Sequence, residues 1–357
     1  MTMGQILLDR NENQYGPAPA CYDALRKANL EQLSLYSRDF ARGRKSELSF
    51  RLSQEIGIPE ERVLLSYGSE DMLKQVVHCY LKKGGTILLP RQSWWYYKSV
   101  ASEVSGTQVE YSLHEGKGTF EYRTDEIKRL YDKHHPELIL IASPSNPTGN
   151  TMRPDDLSSL ISHCSSSIIV LDEAYYGFTS ESHSHLKRLL DSHTRLVVLR
   201  TFSKYYALAG LRIGYACIGT DLQQLIAFSA RYLGYNQLTE RIALAALDEK
   251  EYYRRITRQM REDTEEYYQA FSLLDGFTPF RSEANFILVR YPLNMKQALQ
   301  SDLKIRGIVV KFLDDPGLQD CIRITIGTRE QNAFVVAAFK EIVGAQTIPA
   351  HDRSLHK

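Results

Sequence analysis

The sequence predicts an α/β protein, with a large domain built on a mostly parallel sheet covered by helices and a smaller α+β domain after it. Three observations carry this reading. From about residue 50, short β-rich runs alternate with amphipathic helical stretches, the rhythm of a sheet covered on both faces. Several of those runs are apolar at consecutive positions, as buried parallel strands are, instead of alternating apolar with polar. After residue 250 the rhythm changes to one long charged helical stretch and then three well-separated strand candidates.

Taken in order, strands are predicted at Val63–Ser66, Thr86–Leu89, Leu138–Ile141, Ile168–Leu171, Leu196–Leu199 and Arg212–Ala216. Helix-compatible segments lie between them at 70–82, 94–104, 154–163 and 222–247. The second part holds a helix at 250–272, strands at Asn285–Arg290, Gly307–Lys311 and Cys321–Ile326, and a closing helix at 330–343. The expected division is an arm over 1–35 that joins the small lobe and the substrate site, a large domain over 36–250, a small domain over 251–345, and a flexible polar tail over 346–357. A chain of 357 residues is long enough for two domains.

Composition removes several function classes. With 44 basic and 43 acidic residues the net charge is +1, so no electrostatic argument points to nucleic acid or a membrane surface. No apolar run approaches the roughly 20 residues that span a bilayer, and the N-terminus lacks the basic and apolar regions of a secretion signal. Cys21, Cys79, Cys164, Cys217 and Cys321 are scattered without a C-x-x-C pair. Small buried thiols are therefore expected for Cys79, Cys217 and Cys321, with neither disulfides nor zinc, in a reducing cytoplasm. His134-His135 and His183-Ser184-His185 stand in polar stretches read as solvated loops, with no third ligand nearby, so no metal is expected.

Chemistry is sought just beyond the carboxyl ends of the strands, where open α/β sheets bind ligands. After the first strand, Tyr67-Gly68-Ser69-Glu70-Asp71 opens a helix whose free N–H groups suit an anion, although an ordinary N-cap by Ser69 reads as well. After Leu138–Ala142, the segment Ser143-Pro144-Ser145-Asn146-Pro147-Thr148-Gly149 forces a rigid turn that aims Asn146. After Ile168–Leu171 comes Asp172-Glu173-Ala174-Tyr175, and an acid at a strand's carboxyl end is better placed for a ligand than for structure. The most specific run is Thr201-Phe202-Ser203-Lys204, continued by Gly210-Leu211-Arg212-Ile213-Gly214. Two hydroxyls, a lysine, a glycine turn and an arginine suit a phosphate held beside a reactive amine.

With these motifs in this order, the chain resembles the fold type I pyridoxal-phosphate enzymes, and within them the histidinol-phosphate aminotransferase group. The resemblance runs from Asn11-Glu12-Asn13-Gln14-Tyr15-Gly16-Pro17 to Arg323-Ile324-Thr325-Ile326-Gly327-Thr328-Arg329-Glu330. It implies pyridoxal 5'-phosphate as cofactor, held by Lys204 as a Schiff base, and Lys204 as the proton carrier once released. It implies that Asp172 pairs with the pyridinium nitrogen, that Asn146 and Tyr175 hydrogen-bond the ring's 3-oxygen, and that Trp94 stacks on the ring. Thr201, Ser203, Arg212 and the backbone of Ser69 and Glu70 should hold the phosphate. Tyr36 matches a tyrosine that reaches the neighbouring subunit's cofactor, so a homodimer with shared sites is implied. Asn13, Tyr15 and Arg323 match substrate-contacting positions.

The pattern departs from the group at a few places. Lys311 stands where a second arginine usually helps bind the substrate phosphate; it keeps the charge but loses the planar fork. Ser93-Trp94-Trp95-Tyr96-Tyr97 is bulkier than usual, Ser145 replaces a common asparagine, and Tyr36-Ser37-Arg38 replaces Tyr-Pro. The leading expectation is amino transfer from an amine donor, histidinol phosphate or a related amino acid, to a 2-oxo acid. An aminotransferase or decarboxylase of a different, phosphorylated or specialised amino acid is the alternative. A cofactor-binding sensor module would need a DNA-binding domain, for which the stretch before Asp9 leaves no room. A nicotinamide enzyme would need a G-x-G-x-x-G after the first strand, which is absent.

Overall fold

The computed structural model describes residues 4–179 and 183–347. Its strands are β1 (Ile6–Leu8), β2 (Val63–Ser66), β3 (Thr86–Pro90), β4 (Thr107–Tyr111), β5 (Leu113–Glu115), β6 (Phe120–Tyr122), β7 (Leu138–Ala142), β8 (Ile168–Asp172), β9 (Leu196–Thr201), β10 (Gly214–Ile218), β11 (Thr278–Phe280), β12 (Phe286–Arg290), β13 (Ile308–Phe312) and β14 (Cys321–Thr325). The helices are α1 (Pro19–Arg26), α2 (Glu47–Ile56), α3 (Ser69–Tyr80), α4 (Tyr96–Glu103), α5 (Thr124–His134), α6 (Pro154–His163), α7 (His183–Ser192), α8 (Gln223–Ser229), α9 (Gln237–Asp248), α10 (Lys250–Ser272), α11 (Lys296–Ile305) and α12 (Arg329–Thr347).

The large sheet has the order β2-β10-β9-β8-β7-β3-β4. Every neighbouring pair is parallel except the two made by β10, which runs antiparallel to both β2 and β9. Six carboxyl ends and the amino end of β10 therefore lie along one edge, and that edge carries the site. Strands β7, β8 and β9 are buried at every residue, which is why their sequences read as unbroken apolar runs. One face packs on α3, α4 and α8 through Leu73, Tyr97 and Leu225. The other packs on α1, α2, α6 and α9 through Cys21, Leu52, Leu160 and Ala246.

The second sheet has the order β1-β13-β14-β12-β11. Its core is built against α10 and α12, where Tyr267, Phe271, Phe339 and Ile324 pack together. The buried residues of α10, among them Tyr253, Ile256, Met260, Asp263, Tyr267 and Phe271, recur at helical spacing and form one stripe. Tyr175 and Phe178, from the loop after β8, belong to this core, so the loop crosses from one sheet to the other.

The structure corrects several expectations. The segment 222–247 is two helices, because the chain closes on itself at Gly234: its φ is +82°, and a Cβ there would stand 2.4 Å from the Ser37 side chain. The strand expected from Arg212 starts at Gly214, since Arg212 adopts a left-handed conformation (φ 52°) that ends the preceding turn. The two histidine stretches are not loops: α7 begins at His183, and His134 is the last residue of α5. Cys79 is only half-buried, while Cys217 and Cys321 are fully buried. Within residues 4–35, β1 pairs with β13 in the small sheet and α1 docks against the large sheet. The tail from 348 lies outside the described residues. Among the described residues no helix is long and apolar enough to cross a membrane, and no cluster of His, Cys, Asp or Glu could hold a metal.

Candidate active site

A cleft of about 810 Å³ opens along the carboxyl edge of the large sheet. Ser69, Glu70, Trp94, Asn146, Asp172, Tyr175, Thr201, Ser203, Lys204, Arg212, Lys311 and Arg323 all line it. Twelve of the fifteen side chains singled out from sequence thus meet in one place. Asn13, Tyr15 and Tyr36 do not line it. Asn13 donates to the Tyr205 carbonyl (3.1 Å) and accepts from the Tyr15 backbone N–H (3.1 Å). Tyr15 donates to Asp263 (3.1 Å), and burial together with that carboxylate raises its phenol well above the ordinary value. Tyr36 is exposed on the outer surface.

At one end of the cleft, hydrogen-bond donors gather with few acceptors. Helix α3 starts with no side-chain cap, for its N-cap is Gly68 and not Ser69. Its first N–H groups therefore lack a cap from the N-cap residue, although Glu70 and Asp71 stand in its first turn. A Cβ on Gly68 would stand 2.7 Å from Arg212 Nη2, and one on Gly214 would stand 2.6 Å from the Ser69 nitrogen. Glycine at both positions lets helix, strand and guanidinium close around a small hollow. Thr201 Oγ1 and Ser203 Oγ are 2.9 Å apart, and Arg212 Nη1 lies 3.5 Å from the Ser203 hydroxyl. The one carboxylate here, Glu70, keeps 3.7 Å from Arg212. This donor set fits a phosphate.

In the middle, Asp172 is buried at the end of β8. Its Oδ2 accepts from Tyr97 (2.6 Å) and its Oδ1 from the Ala174 N–H (2.9 Å). Burial raises its carboxyl above the ordinary range, while both donors oppose that rise. Tyr175 accepts from Asn11 Nδ2 (2.7 Å), which leaves its own proton free to donate. Asn146 accepts through Oδ1 from Arg323. A buried acid facing a donor-rich hollow, with an amide and a phenol beside it, fits the nitrogen, phosphate and 3-oxygen of pyridoxal phosphate.

Lys204 reaches into the cleft and donates to the Arg10 carbonyl (2.7 Å). Burial, then Arg323 and Arg212, lower its amine to about 8, with Glu12 opposing. Arg323 is buried, yet its hydrogen bonds go to neutral groups, Asn146 and the Asp9 carbonyl. No carboxylate pairs with it among the described residues, and its Nε has no partner.

The sequence reading did not assign Asp9, Arg10, Asn11, Glu12, Trp95 or Tyr97, all of which line the cleft. The arm residues act largely through backbone carbonyls, which leave no trace in residue type. Tyr97 is named in the motif around Trp94 but given no role; it stands three residues after Trp94 in the first turn of a helix that follows a strand.

A large parallel sheet with one reversed strand, a smaller sheet beside it, and a lysine, aspartate and phosphate cup along the carboxyl edge define a pyridoxal-phosphate transferase. The family description for aminotransferase class I and II matches residues 4–339, and the chain belongs to that family. It is a pyridoxal-phosphate-dependent aminotransferase. Histidinol-phosphate aminotransferase from Ruminiclostridium cellulolyticum is 31% identical over 339 residues, covering 93% of this chain and 91% of that one. The enzyme of the same name from Geobacillus thermodenitrificans is 29% identical over 329 residues, or 92% and 87% of the two chains. In structure, histidinol-phosphate aminotransferase from Sinorhizobium meliloti, solved with pyridoxal-5'-phosphate, superposes with a TM-score of 0.85 at 21% identity, over 96% of this chain and 92% of that one.

Proposed function

We propose that the enzyme transfers the amino group of L-histidinol phosphate, or of a closely related anionic amine, to a 2-oxo acid. The observation that carries the anionic substrate is Arg323, a buried guanidinium that among the described residues has no carboxylate partner and leaves Nε unsatisfied. Such a charge is costly unless an anion completes it. Lys311 pairs with Arg323 across β13 and β14 and lines the same wall, and the exposed Arg10 adds a third cation. The named relatives all act on a phosphate-bearing amine, which agrees with this wall.

In this reading Thr201, Ser203, Arg212 and the Ser69 and Glu70 N–H groups hold the cofactor phosphate. Asp172 faces the ring nitrogen, Asn146 and Tyr175 hold the ring's 3-oxygen, and Trp94 covers the ring face. When bound, pyridoxal phosphate supplies an electron-accepting ring that takes the electrons of the broken Cα–H bond. Lys204 anchors the cofactor and afterwards carries the proton from the substrate's α-carbon. Asn13, held by the Tyr205 carbonyl, and Tyr15, held by Asp263, belong to the substrate side of this reading. The five unpaired thiols agree with a reducing cytoplasm.

A homodimer is part of this proposal. Leu30, Leu33, Tyr36 and Phe40 are exposed next to exposed Tyr232 and Leu233. Phe40 and Tyr232 meet edge to face with centroids 5.3 Å apart, and the Ser37 N–H donates to the Leu233 carbonyl (3.3 Å). These contacts bring two segments with exposed apolar side chains together, and an exposed apolar surface is the kind that marks an interface.

The test is to mix the cofactor-loaded enzyme with L-histidinol phosphate and a panel of amino acids, with no oxo acid present, and to measure keto product. One keto product per active site from histidinol phosphate alone is expected. Product from another donor only would reassign the substrate.

A further inference from the structure

We infer that Tyr97 is a positioning residue whose hydroxyl keeps the shared proton on the cofactor's ring nitrogen instead of on Asp172. This rests on Asp172 being the partner of that nitrogen, as proposed above.

Tyr97 lies in the first turn of α4, which follows β3, and it is almost fully buried. Strand β7 separates β3 from β8 in the sheet. Its phenol nevertheless crosses that strand to reach Asp172 Oδ2 at 2.6 Å. Two other tyrosines direct their protons to backbone carbonyls: buried Tyr111 to that of Leu140 (2.8 Å) and half-buried Tyr235 to that of Leu65 (2.6 Å). Tyr97 alone among these directs its proton to the buried acid of the cleft.

The direction of the bond is fixed. Burial and the neighbouring Asp172 hold the Tyr97 phenol far above its ordinary value, so it stays protonated and can only donate to a charged carboxylate. The groups around Asp172 are Tyr97 from α4, Tyr122 from β6, Tyr175 and the Ala174 N–H from the following loop, and Glu173 beside it. None of these is a cation, so what opposes the upward push of burial on the carboxyl is hydrogen bonding, with Tyr97 the larger donor and the Ala174 N–H the second.

A ring nitrogen facing Asp172 competes with it for one proton. Each donor on the carboxylate lowers its appetite for that proton. With Tyr97 in place the contact is N–H⁺ against carboxylate, the form that withdraws electrons from the ring. Without it the proton moves toward oxygen, the pair becomes neutral, and the ring accepts electrons poorly.

The experiment uses wild type and Tyr97→Phe, each in two states. In the cofactor-free state, infrared difference titration follows the carboxyl stretch of Asp172, assigned by its loss in Asp172→Asn. In the loaded state, cofactor labelled with nitrogen-15 in the ring reports by NMR whether the nitrogen is protonated. The expected result is a carboxyl midpoint at higher pH in Tyr97→Phe, and a ring signal moved from the pyridinium toward the neutral position. The turnover number should fall about tenfold or more, the scale of one hydrogen bond to a charged group, with KM for the donor little changed.

A purely structural tyrosine would move stability but neither signal, and unchanged signals overturn the inference. A shifted carboxyl midpoint with an unmoved ring signal also overturns it, and places the failure in the Asp172 assignment and not in Tyr97. If Tyr97→Phe does not fold, a ring-difluorinated tyrosine at position 97 keeps the shape and strengthens the donor. The carboxyl midpoint must then move to lower pH, and an unmoved midpoint overturns the inference.

Discussion

A lysine amine is a nucleophile only when it has lost its proton, and Lys204 is tuned for that. Burial and the two arginines Arg323 and Arg212 bring it to about 8, against the attraction of Glu12. Uptake of cofactor by the apoenzyme should therefore quicken with rising pH up to about 8 and level off above it. Replacing Arg323 by Met removes a positive charge, so it should move that midpoint upward. Stopped-flow absorbance would check both, and a flat pH profile would remove the amine's charge state from the step. At this scale the sequence was readable wherever side-chain chemistry is the message. Lys204, Asp172 and Arg212 could be named because a hydroxyl-hydroxyl-lysine run with a later arginine has few other uses. The carbonyls of Asp9 and Arg10 could not, for any residue supplies a carbonyl and only the path of the chain brings it to Arg323 and Lys204.

Elements place these residues by meeting very closely. The amino end of α3, the start of β10 and the end of β9 converge at Gly214, where a Cβ would face the Ser69 nitrogen, the Gly68 carbon and the Arg200 carbonyl, all within 2.9 Å. All three are backbone atoms and cannot step aside. Gly214→Ala should cost about 1–3 kcal/mol of stability and weaken cofactor affinity as the phosphate cup spreads; thermal melting and a cofactor titration would check this. One layer below, Arg200 crosses from β9 to Glu173, just beyond the end of β8, with Nε and Nη2 both bonded to Oε2 (2.8 and 2.7 Å) and Tyr176 under its guanidinium at 3.4 Å. This buried pair ties the strand end bearing Asp172 to the one bearing Thr201. Glu173→Gln should cost about 3–5 kcal/mol in chemical denaturation, because a charged partner of a buried arginine is removed away from water. The buried strands were legible from apolar runs alone. The break between α8 and α9 was not, since it depends on Ser37 meeting Gly234 from far along the chain. Nor was β1, whose three residues carry little pattern until β13 is beside them.

Leu30, Leu33, Tyr36, Phe40, Phe228, Tyr232 and Leu233 are exposed, and they form the surface through which the homodimer is proposed. Changing both Leu33 and Phe40 to Glu should halve the mass seen in sedimentation while leaving the fold intact by circular dichroism. If Tyr36 completes a neighbour's phosphate cup, Tyr36→Phe should weaken cofactor binding in the dimer. An unchanged affinity would leave Tyr36 as packing only. The fold class and both sheets could be foreseen, but the closure of the first residues onto the last strands could not. Ile6 pairs with Ile308, and the Asn11 N–H bonds to Thr325 (3.0 Å). That closure sets an order of assembly during synthesis. As the chain leaves the ribosome, Asp172, Lys204 and Arg212 are all present long before Arg323 and Lys311 have been made. On the roles proposed above, the nascent protein has the residues that grip the cofactor first, and those that grip the substrate arrive only with β13 and β14, when β1 at last finds its place.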